Sequence, residues 1–182
     1  MQRVAMLISV CAAVVAVAAC GSSSKPQAAS TTTSSIAGIS VPPASNGATA
    51  AACVGLKDPL PQGVPAWDLK PGPAPTTLGI QDLKVGTGPT VAEGATVTAN
   101  YIGVACSTGK IFDSSYAHGQ AIQFPLTGVI PGWTNGIPGM KVGGVRVLSI
   151  PAAQAYGANP PQGSGIAPNE PLIFLVEITA TQ

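Results

Sequence analysis

The side chains that could do chemistry in this 182-residue sequence are few, and their spacing argues against most enzyme classes. The one histidine, His118, lies in a glycine-containing turn at 117–120, and no G-x-S-x-G motif accompanies it. No group of His, Cys, Asp and Glu has the spacing of a metal site. No glycine-rich phosphate-binding motif follows a predicted strand. We therefore expect no metal and no cofactor, and hydrolysis, phosphoryl transfer and redox chemistry are unsupported.

Residues 129–133, Val-Ile-Pro-Gly-Trp, are the remaining candidate for a functional centre. Pro131 fits the first turn of a helix, where its missing N–H costs no hydrogen bond. Gly136 and Pro138 predict the end of that helix after about two turns. Trp133 would then form the floor of whatever the helix underlies. An ordinary core tryptophan is the alternative that this segment alone leaves open.

The segments on either side of this centre carry a family resemblance. They are Tyr-Ile-Gly at 101–103, Gly-Lys-Ile-Phe-Asp-Ser-Ser at 109–115, Ile-Gln-Phe-Pro-Leu at 122–126, Met-Lys-Val-Gly-Gly at 140–144, Ile-Pro at 150–151, Ala-Tyr-Gly at 155–157 and Leu-Ile-Phe-Leu-Val-Glu-Ile at 172–178. In this order and at these spacings they resemble the FKBP-type peptidyl-prolyl cis-trans isomerases, immunophilins that bind tacrolimus and rapamycin. The resemblance covers residues 78–181 and implies binding of proline-containing polypeptides.

The resemblance also implies which residues form the binding pocket. The walls and floor would be Tyr101, Phe112, Ile122, Val129, Trp133, Ile166 and Phe174. Tyr156 would hydrogen-bond to the bound backbone, and the N–H of Ile130 would donate to a carbonyl next to the proline. Asp113 would orient Tyr101 or the ligand through hydrogen bonds. For the aromatic residues a plain core role is the alternative.

Prolyl isomerisation suits such an inventory for a physical reason. Amide resonance holds the X-Pro bond planar, with a rotation barrier of ~18–20 kcal/mol. No covalent bond breaks, so neither a nucleophile nor a metal is needed. Twisting the bond makes its carbonyl less polar, and an apolar enclosure therefore favours the twisted state. The rival hypothesis is an FKBP-like binding or chaperone module with little or no turnover, which would need the same walls.

The sequence departs from the family pattern at three positions. Ile122 stands where many members carry an aromatic wall residue. Gly165 replaces a larger apolar residue, and Ala167 stands where proline is frequent. We expect these differences to affect affinity and selectivity rather than the fold.

Alternation of apolar and polar residues predicts the elements that position these side chains. The predicted strands are 78–85, 95–104, 110–113, 122–126, 145–150 and 172–179. In the second strand, Val97, Ala99 and Tyr101 share one face. Residues 76–182 should therefore form an α+β domain, a curved and mostly antiparallel sheet wrapped around one short α-helix. The FKBP-like fold that the resemblance implies is the same.

Residues 1–20 predict export. Arg3 precedes an apolar run shorter than the ~20 residues of a membrane-spanning helix. The run ends in Val-Ala-Ala-Cys at 17–20, which resembles a bacterial lipobox. Cys20 would then be lipidated and anchor the protein to the outer face of the bacterial cell membrane. A plain signal-peptidase site is the alternative.

Two segments separate this signal from the domain. Residues 21–52 are nearly all Ser, Thr, Ala, Gly and Pro, which predicts a disordered tether with ends on the order of 30 Å apart. Residues 53–75, called the arm below, contain Trp67 and six prolines. We expect the arm to be irregular and to lie against the domain, with Trp67 as its anchor.

The cysteines and the charge balance predict what else the protein contacts. Cys11 leaves with the signal and Cys20 carries lipid, so Cys53 and Cys106 remain to form a disulfide in an oxidising compartment. The net charge is +1, and Lys and Arg do not cluster. This charge pattern argues against a nucleic-acid partner.

Overall fold

The computed structural model describes residues 52–182. The predicted signal peptide, the predicted lipidation site Cys20 and all but the last residue of the tether lie outside this range. Across these 131 residues (182 − 51), no helix has the length and apolar character needed to cross a bilayer.

A six-stranded antiparallel sheet forms the body of the described region. Its strands are β1 Gly79–Lys84, β2 Thr96–Ala105, β3 Ile111–Ser114, β4 Ile122–Pro125, β5 Val145–Ile150 and β6 Leu172–Thr181. The order is β1-β5-β6-β2-β3, and β4 pairs with the other half of the β2 edge that β3 occupies. All strands start and end within two residues of their predicted positions, and the α+β prediction is confirmed.

The helix α1, Pro131–Gly136, lies on the inner face of this sheet. Pro131 is its first residue, as predicted, and it ends at Gly136 after less than two turns. A Cβ atom added to Gly132 would lie 2.5 Å from Cγ2 of Ile150, so glycine lets the helix rest directly on β5. This close approach brings the buried Trp133 under the sheet. Two short 3-10 helices, Ser115–His118 and Ala152–Gln154, complete the regular structure of residues 52–182.

The middle of the sheet is covered on both faces. Val97, Ala99 and Tyr101 of β2 point into the inner core with α1, as the alternation predicts. Ile102 and Val104 point to the outer face, where they join a second apolar cluster. The arm residues that pack on this second cluster are Leu56, Leu60, Val64, Trp67, Leu69 and Ala74. Because both faces are covered, β2 is fully buried from Tyr101 to Ala105.

The arm is held where β2 turns toward β3. The N–H of Val54 donates to the carbonyl of Cys106 at 2.9 Å, and the sulfur atoms of Cys53 and Cys106 lie 2.04 Å apart. The arm also pairs with itself, since the N–H of Gly72 donates to the carbonyl of Cys53 at 3.0 Å. These contacts hold both ends of the arm at one site on the sheet.

A paired arginine joins the sheet edge to the helix. Arg146 on β5 is 9% exposed and donates from Nε and Nη2 to both carboxylate oxygens of Asp82 on β1, at 2.6 and 3.0 Å. Its Nη1 donates to the carbonyl of Gly136, the last residue of α1, at 2.7 Å. The hydrogen bond from Arg146 and its positive charge hold the pKa of Asp82 below the ordinary value, against a smaller opposing effect of burial.

The substitution Asp82→Asn should lower the free energy of unfolding by about 1 kcal/mol at neutral pH, since the Asp82 side chain is 39% exposed and its attraction is screened. The lowered pKa means that the ionised carboxyl stabilises the fold above its ordinary pKa of 3.8, and that this contribution is lost as the pH falls through the folded-state pKa. Urea unfolding of both proteins should therefore differ at neutral pH and converge in strong acid.

The matched control is Asp68→Asn, which removes a carboxyl paired with Lys70 at the surface. It should leave the unfolding free energy nearly unchanged at both pH values. An equal loss for Asp82→Asn in neutral and acid solution would contradict the ionic origin of the effect.

Candidate active site

A cavity of about 440 Å³ opens between α1 and the inner face of the sheet. Its lining residues are Tyr101, Phe112, Asp113, Phe124, Gly128, Val129, Ile130, Trp133, Tyr156 and Phe174. Eight of these ten were predicted from the sequence. The cavity therefore brings together residues from four strands, the helix, the loop between β4 and α1, and the loop that follows β5.

The floor of the cavity is a cluster of aromatic rings around Trp133. The ring centroids of Phe124 and Phe174 both lie 5.4 Å from that of Trp133, and the centroid of Tyr101 lies 5.5 Å away. All three pairs are edge-to-face, an arrangement that the charge distribution of aromatic rings favours. Trp133 is 4% exposed, so it is a core residue and a cavity floor at once.

Two predicted wall residues do not line the cavity. Ile122 and Ile166 are half-buried and pack against the inner core instead. Phe124, which we did not predict, provides an aromatic wall two residues after Ile122. Side chains two apart on a strand share a face, so the β4 alternation could have identified Phe124. Gly128 has no side chain and carried no comparable signal.

Phe112 and Asp113 are adjacent on β3, yet both line the cavity. Neighbouring side chains of a regular strand point to opposite faces. The exception has a cause in the β2–β3 pairing, where Gly103 pairs with Asp113 and the next residue, Val104, pairs with Ile111. Phe112 is thus the extra residue of a β-bulge, and a bulge can redirect a side chain.

The space for the Phe112 ring is provided by Gly103. A Cβ atom at Gly103 would lie 2.4 Å from Cζ of Phe112 and 2.9 Å from both Cε atoms. The ring therefore lies flat over the β2 backbone, and its centroid is 5.6 Å from that of Phe174 in an edge-to-face contact. Bulge and glycine together make Phe112 a cavity wall.

Asp113 and Ser115 fix the orientation of Tyr101. The Tyr101 hydroxyl donates to Oδ2 of Asp113 at 2.6 Å, and the Tyr101 N–H donates to Oγ of Ser115 at 2.8 Å. Burial, followed by the hydrogen bond to Asp113, raises the pKa of Tyr101 well above its ordinary value. The hydroxyl consequently stays protonated across the physiological pH range.

Two of the lining residues, Tyr156 and Ile130, carry hydrogen-bond donors. Tyr156 is 37% exposed, and burial of its ring, followed by the negative charge of Asp113, raises the pKa of its hydroxyl. Ile130 accepts hydrogen bonds through its carbonyl from the N–H groups of Trp133 and Thr134. For the Ile130 N–H, residues 52–182 supply no backbone acceptor. The donors are thus a neutral hydroxyl and a backbone amide.

This arrangement can bind an apolar group and orient it, but it offers no strong nucleophile. His118 is exposed and does not line the cavity. Residues 52–182 also contain no cluster of three or more His, Cys, Asp or Glu that could hold a metal ion.

Comparison with known proteins decides the family. The sequence model of one protein family, the FKBP-type peptidyl-prolyl cis-trans isomerases, matches residues 88–179 of this chain. The match covers 92 of 182 residues (179 − 88 + 1). The chain belongs to this family. As an FKBP-type protein it is a peptidyl-prolyl cis-trans isomerase, and the resemblance inferred from the sequence motifs is confirmed.

Individual relatives extend over most of the domain of this FKBP-type isomerase. A probable FK506-binding protein of Corynebacterium glutamicum is 48% identical over 115 residues, which cover 63% of this chain and 95% of that protein. An FK506-binding protein of Streptomyces anulatus is 47% identical over 118 residues, 64% of this chain and 95% of that protein. The crystal structure of a peptidyl-prolyl cis-trans isomerase of Pseudomonas syringae has 37% identity and a TM-score of 0.52, covering 58% of this chain and 75% of that chain.

The substitution Gly103→Ala should lower kcat/KM of this FKBP-type isomerase about tenfold, because the new methyl group displaces the Phe112 ring. It should also destabilise the fold by about 1–3 kcal/mol through overpacking. Exchange NMR on an X-Pro model peptide measures the activity, and urea unfolding measures the stability.

The matched control is Gly72→Ala, because a Cβ atom added to Gly72 would have no neighbouring heavy atom within 4 Å. Introduced into a Phe112→Leu background, Gly103→Ala should cost much less stability than it does in the wild type. Full activity of Gly103→Ala in the wild-type background would disprove the steric role of Gly103.

Proposed function

We propose that the cavity floored by Trp133 is where this isomerase binds the proline of its substrate. The observation that carries the proposal is an apolar enclosure bordered by the Ile130 N–H, which has no backbone acceptor among residues 52–182. A volume of about 440 Å³ is in the usual range of small-molecule pockets and accommodates a proline ring with parts of its neighbours.

The proposed mechanism uses binding rather than covalent chemistry. The proline ring rests on Trp133, and the Ile130 N–H and the Tyr156 hydroxyl hold the adjoining backbone. Asp113 keeps Tyr101 in place through the hydrogen bond between their side chains. As the X-Pro bond twists, its carbonyl loses polarity, and the apolar walls favour the twisted form over the planar one. Asp113 carries the one carboxyl group in the lining, and its Oδ2 accepts the hydrogen bond from Tyr101, so the rest of the wall is uncharged.

The same cavity is the proposed site for macrolides. Relatives of this chain are named for binding FK506, and members of the family bind macrolides of this type. Rapamycin or tacrolimus should therefore inhibit isomerisation by competing with the substrate. Rapamycin binding with no measurable isomerisation would instead favour a binding or chaperone module.

The substitution Tyr156→Phe should lower kcat/KM about tenfold, equivalent to ~1.4 kcal/mol, because it removes one hydroxyl and almost no volume. The stability should change by less than about 0.5 kcal/mol, since the side chain is partly exposed. The measurement is NMR exchange on an X-Pro peptide together with thermal unfolding.

The matched control is Tyr116→Phe, which deletes a hydroxyl that donates to Glu177 on the outer side of the sheet. It should leave kcat/KM unchanged. If Tyr156→Phe is as active as the wild type, Tyr156 does not contact the substrate in the rate-determining step.

We further propose that the protein is exported and works on proteins outside the cytoplasm. The proposed organisation is a signal peptide with lipobox at 1–20, a disordered tether at 21–52, the arm at 53–75 and the isomerase domain at 76–182. The apolar run that ends at Cys20 supports lipid anchoring to the outer face of the cell membrane. The proximity of the Cys53 and Cys106 sulfur atoms supports a disulfide and thus an oxidising compartment.

Mass spectrometry of the mature protein, purified from membranes, should find a lipid on Cys20 and no free thiol on Cys53 or Cys106. Closing a loop of 53 residues could stabilise the fold by roughly 4 kcal/mol on chain entropy, an upper figure because the arm is already docked. The Cys20→Ala variant serves as the control and should leave the membrane fraction. Alkylation of two cysteines without prior reduction would refute the disulfide, and an unmodified N-terminus would refute the anchor.

A further inference from the structure

The β3 strand, which carries two walls of the cavity, is held in place weakly by the sheet itself. It has four residues, Ile111–Ser114, and it lies at the end of the strand order. Its pairing to β2 is interrupted by the bulge at Phe112. A bulge leaves its extra residue unpaired and disrupts the ladder locally. The position of the Phe112 ring therefore depends on further contacts to β3.

One such contact comes from the arm. Oδ2 of Asp58 accepts a hydrogen bond from the N–H of Ile111 at 2.7 Å, one residue before the bulge. The adjacent N–H of Lys57 donates to the carbonyl of Gly109 at 2.9 Å, which holds the arm against the turn that precedes β3. A carboxylate makes stronger hydrogen bonds to backbone N–H groups than a neutral acceptor does. The start of β3 is thus held by the arm on one side and by β2 on the other.

The opposite side of the bulge is held within the domain. Ser114 N–H donates to Oδ1 of Asp113 at 2.8 Å, and the other oxygen of Asp113 accepts the hydrogen bond from Tyr101. Phe112 itself lies between Ile111 and Asp113, which are both anchored in this way, and Gly103 lies beneath its ring. Removing the Asp58 contact would leave only Asp113 and the pairing with β2 to hold the bulge.

We propose that Asp58 is a positioning residue for the isomerase, acting through Ile111 to hold the Phe112 ring at the cavity wall. This inference rests on the proposed role of the cavity. It makes the arm a part of the active-site support, in addition to a cover for the outer face of the sheet. Asp58 is not among the residues that line the cavity.

The substitution Asp58→Ala should lower kcat/KM about three- to tenfold, because a misplacement of one wall by about one ångström is costly to catalysis. Asp58→Asn keeps an oxygen that can accept the Ile111 N–H, and it should retain most of the activity. The matched control is Asp68→Ala, which removes the arm carboxylate that pairs with exposed Lys70 and should leave kcat/KM unchanged.

Two further measurements separate positioning from a general loss of stability. The NMR resonances of the Phe112 ring should shift in Asp58→Ala, while those of Phe124 on β4 stay in place. In a Phe112→Leu background, Asp58→Ala should have little additional effect on kcat/KM. Both measurements are made well below the unfolding temperature.

Three results would overturn the proposal. They are unchanged kcat/KM and Phe112 resonances in Asp58→Ala, an equal loss of activity in Asp68→Ala, and an undiminished effect of Asp58→Ala in the Phe112→Leu background. If the wild-type cavity proves not to bind X-Pro peptides, the proposed function fails by itself. The Phe112 resonances then still report whether Asp58 positions the ring.

Discussion

Trp133 packs edge-to-face against one aromatic ring from each of three strands, Tyr101 on β2, Phe124 on β4 and Phe174 on β6. Each such pair contributes about 0.5–1.5 kcal/mol beyond the area that it buries. These contacts attach α1 to the sheet. The side of the same aromatic cluster that faces the cavity forms the cavity floor. The core and the proposed binding site are therefore one set of atoms. A change that reshapes the floor also changes the stability, which is why deletions of single hydroxyl groups are more informative than truncation of Trp133.

The two faces of the sheet pack against different parts of the protein, and β3 has contacts with both parts. The inner face carries the aromatic cluster, and the outer face binds the arm through a second apolar cluster. A sheet with one solvated face would show polar residues at alternate positions, whereas β2 is buried without interruption from Tyr101 to Ala105 and β6 from Leu172 to Val176. The bulge at Phe112 is where the two sides connect, because the arm contacts Ile111 and the cavity is lined by Phe112.

The sequence predicted the strands and the helix because their signals are local. The alternation in β2 indicates which face of the strand is buried. The positions of Pro131 and Gly136 indicate where the helix begins and ends. The motif spacings likewise predicted eight of the ten cavity-lining residues.

The register between strands could not be predicted from the sequence. Only the pairing of Val104 with Ile111 shows that Phe112 is a bulge residue, and that pairing joins separate strands. Asp58 and Ile111 are 53 residues apart, and the local sequence around neither residue indicates that they are in contact. Alternation also does not distinguish Ile122, which packs beside the cavity, from Phe124, which lines it.

The strand at the centre of the sheet, β6, comes last in chain order. It lies between β5 and β2, and it spans Leu172–Thr181. Before these residues are made, β1 and β5 have no link through the sheet to β2, β3 and β4. Earlier segments can pair only as β1 with β5 and as β2 with β3 and β4. An isolated pair of strands is marginally stable in water. Contacts of large sequence separation then dominate the folding step, and such topologies fold slowly. During synthesis, which proceeds from the N-terminus, the domain therefore remains open until its final strand has emerged, so folding follows translation of this domain and does not accompany it.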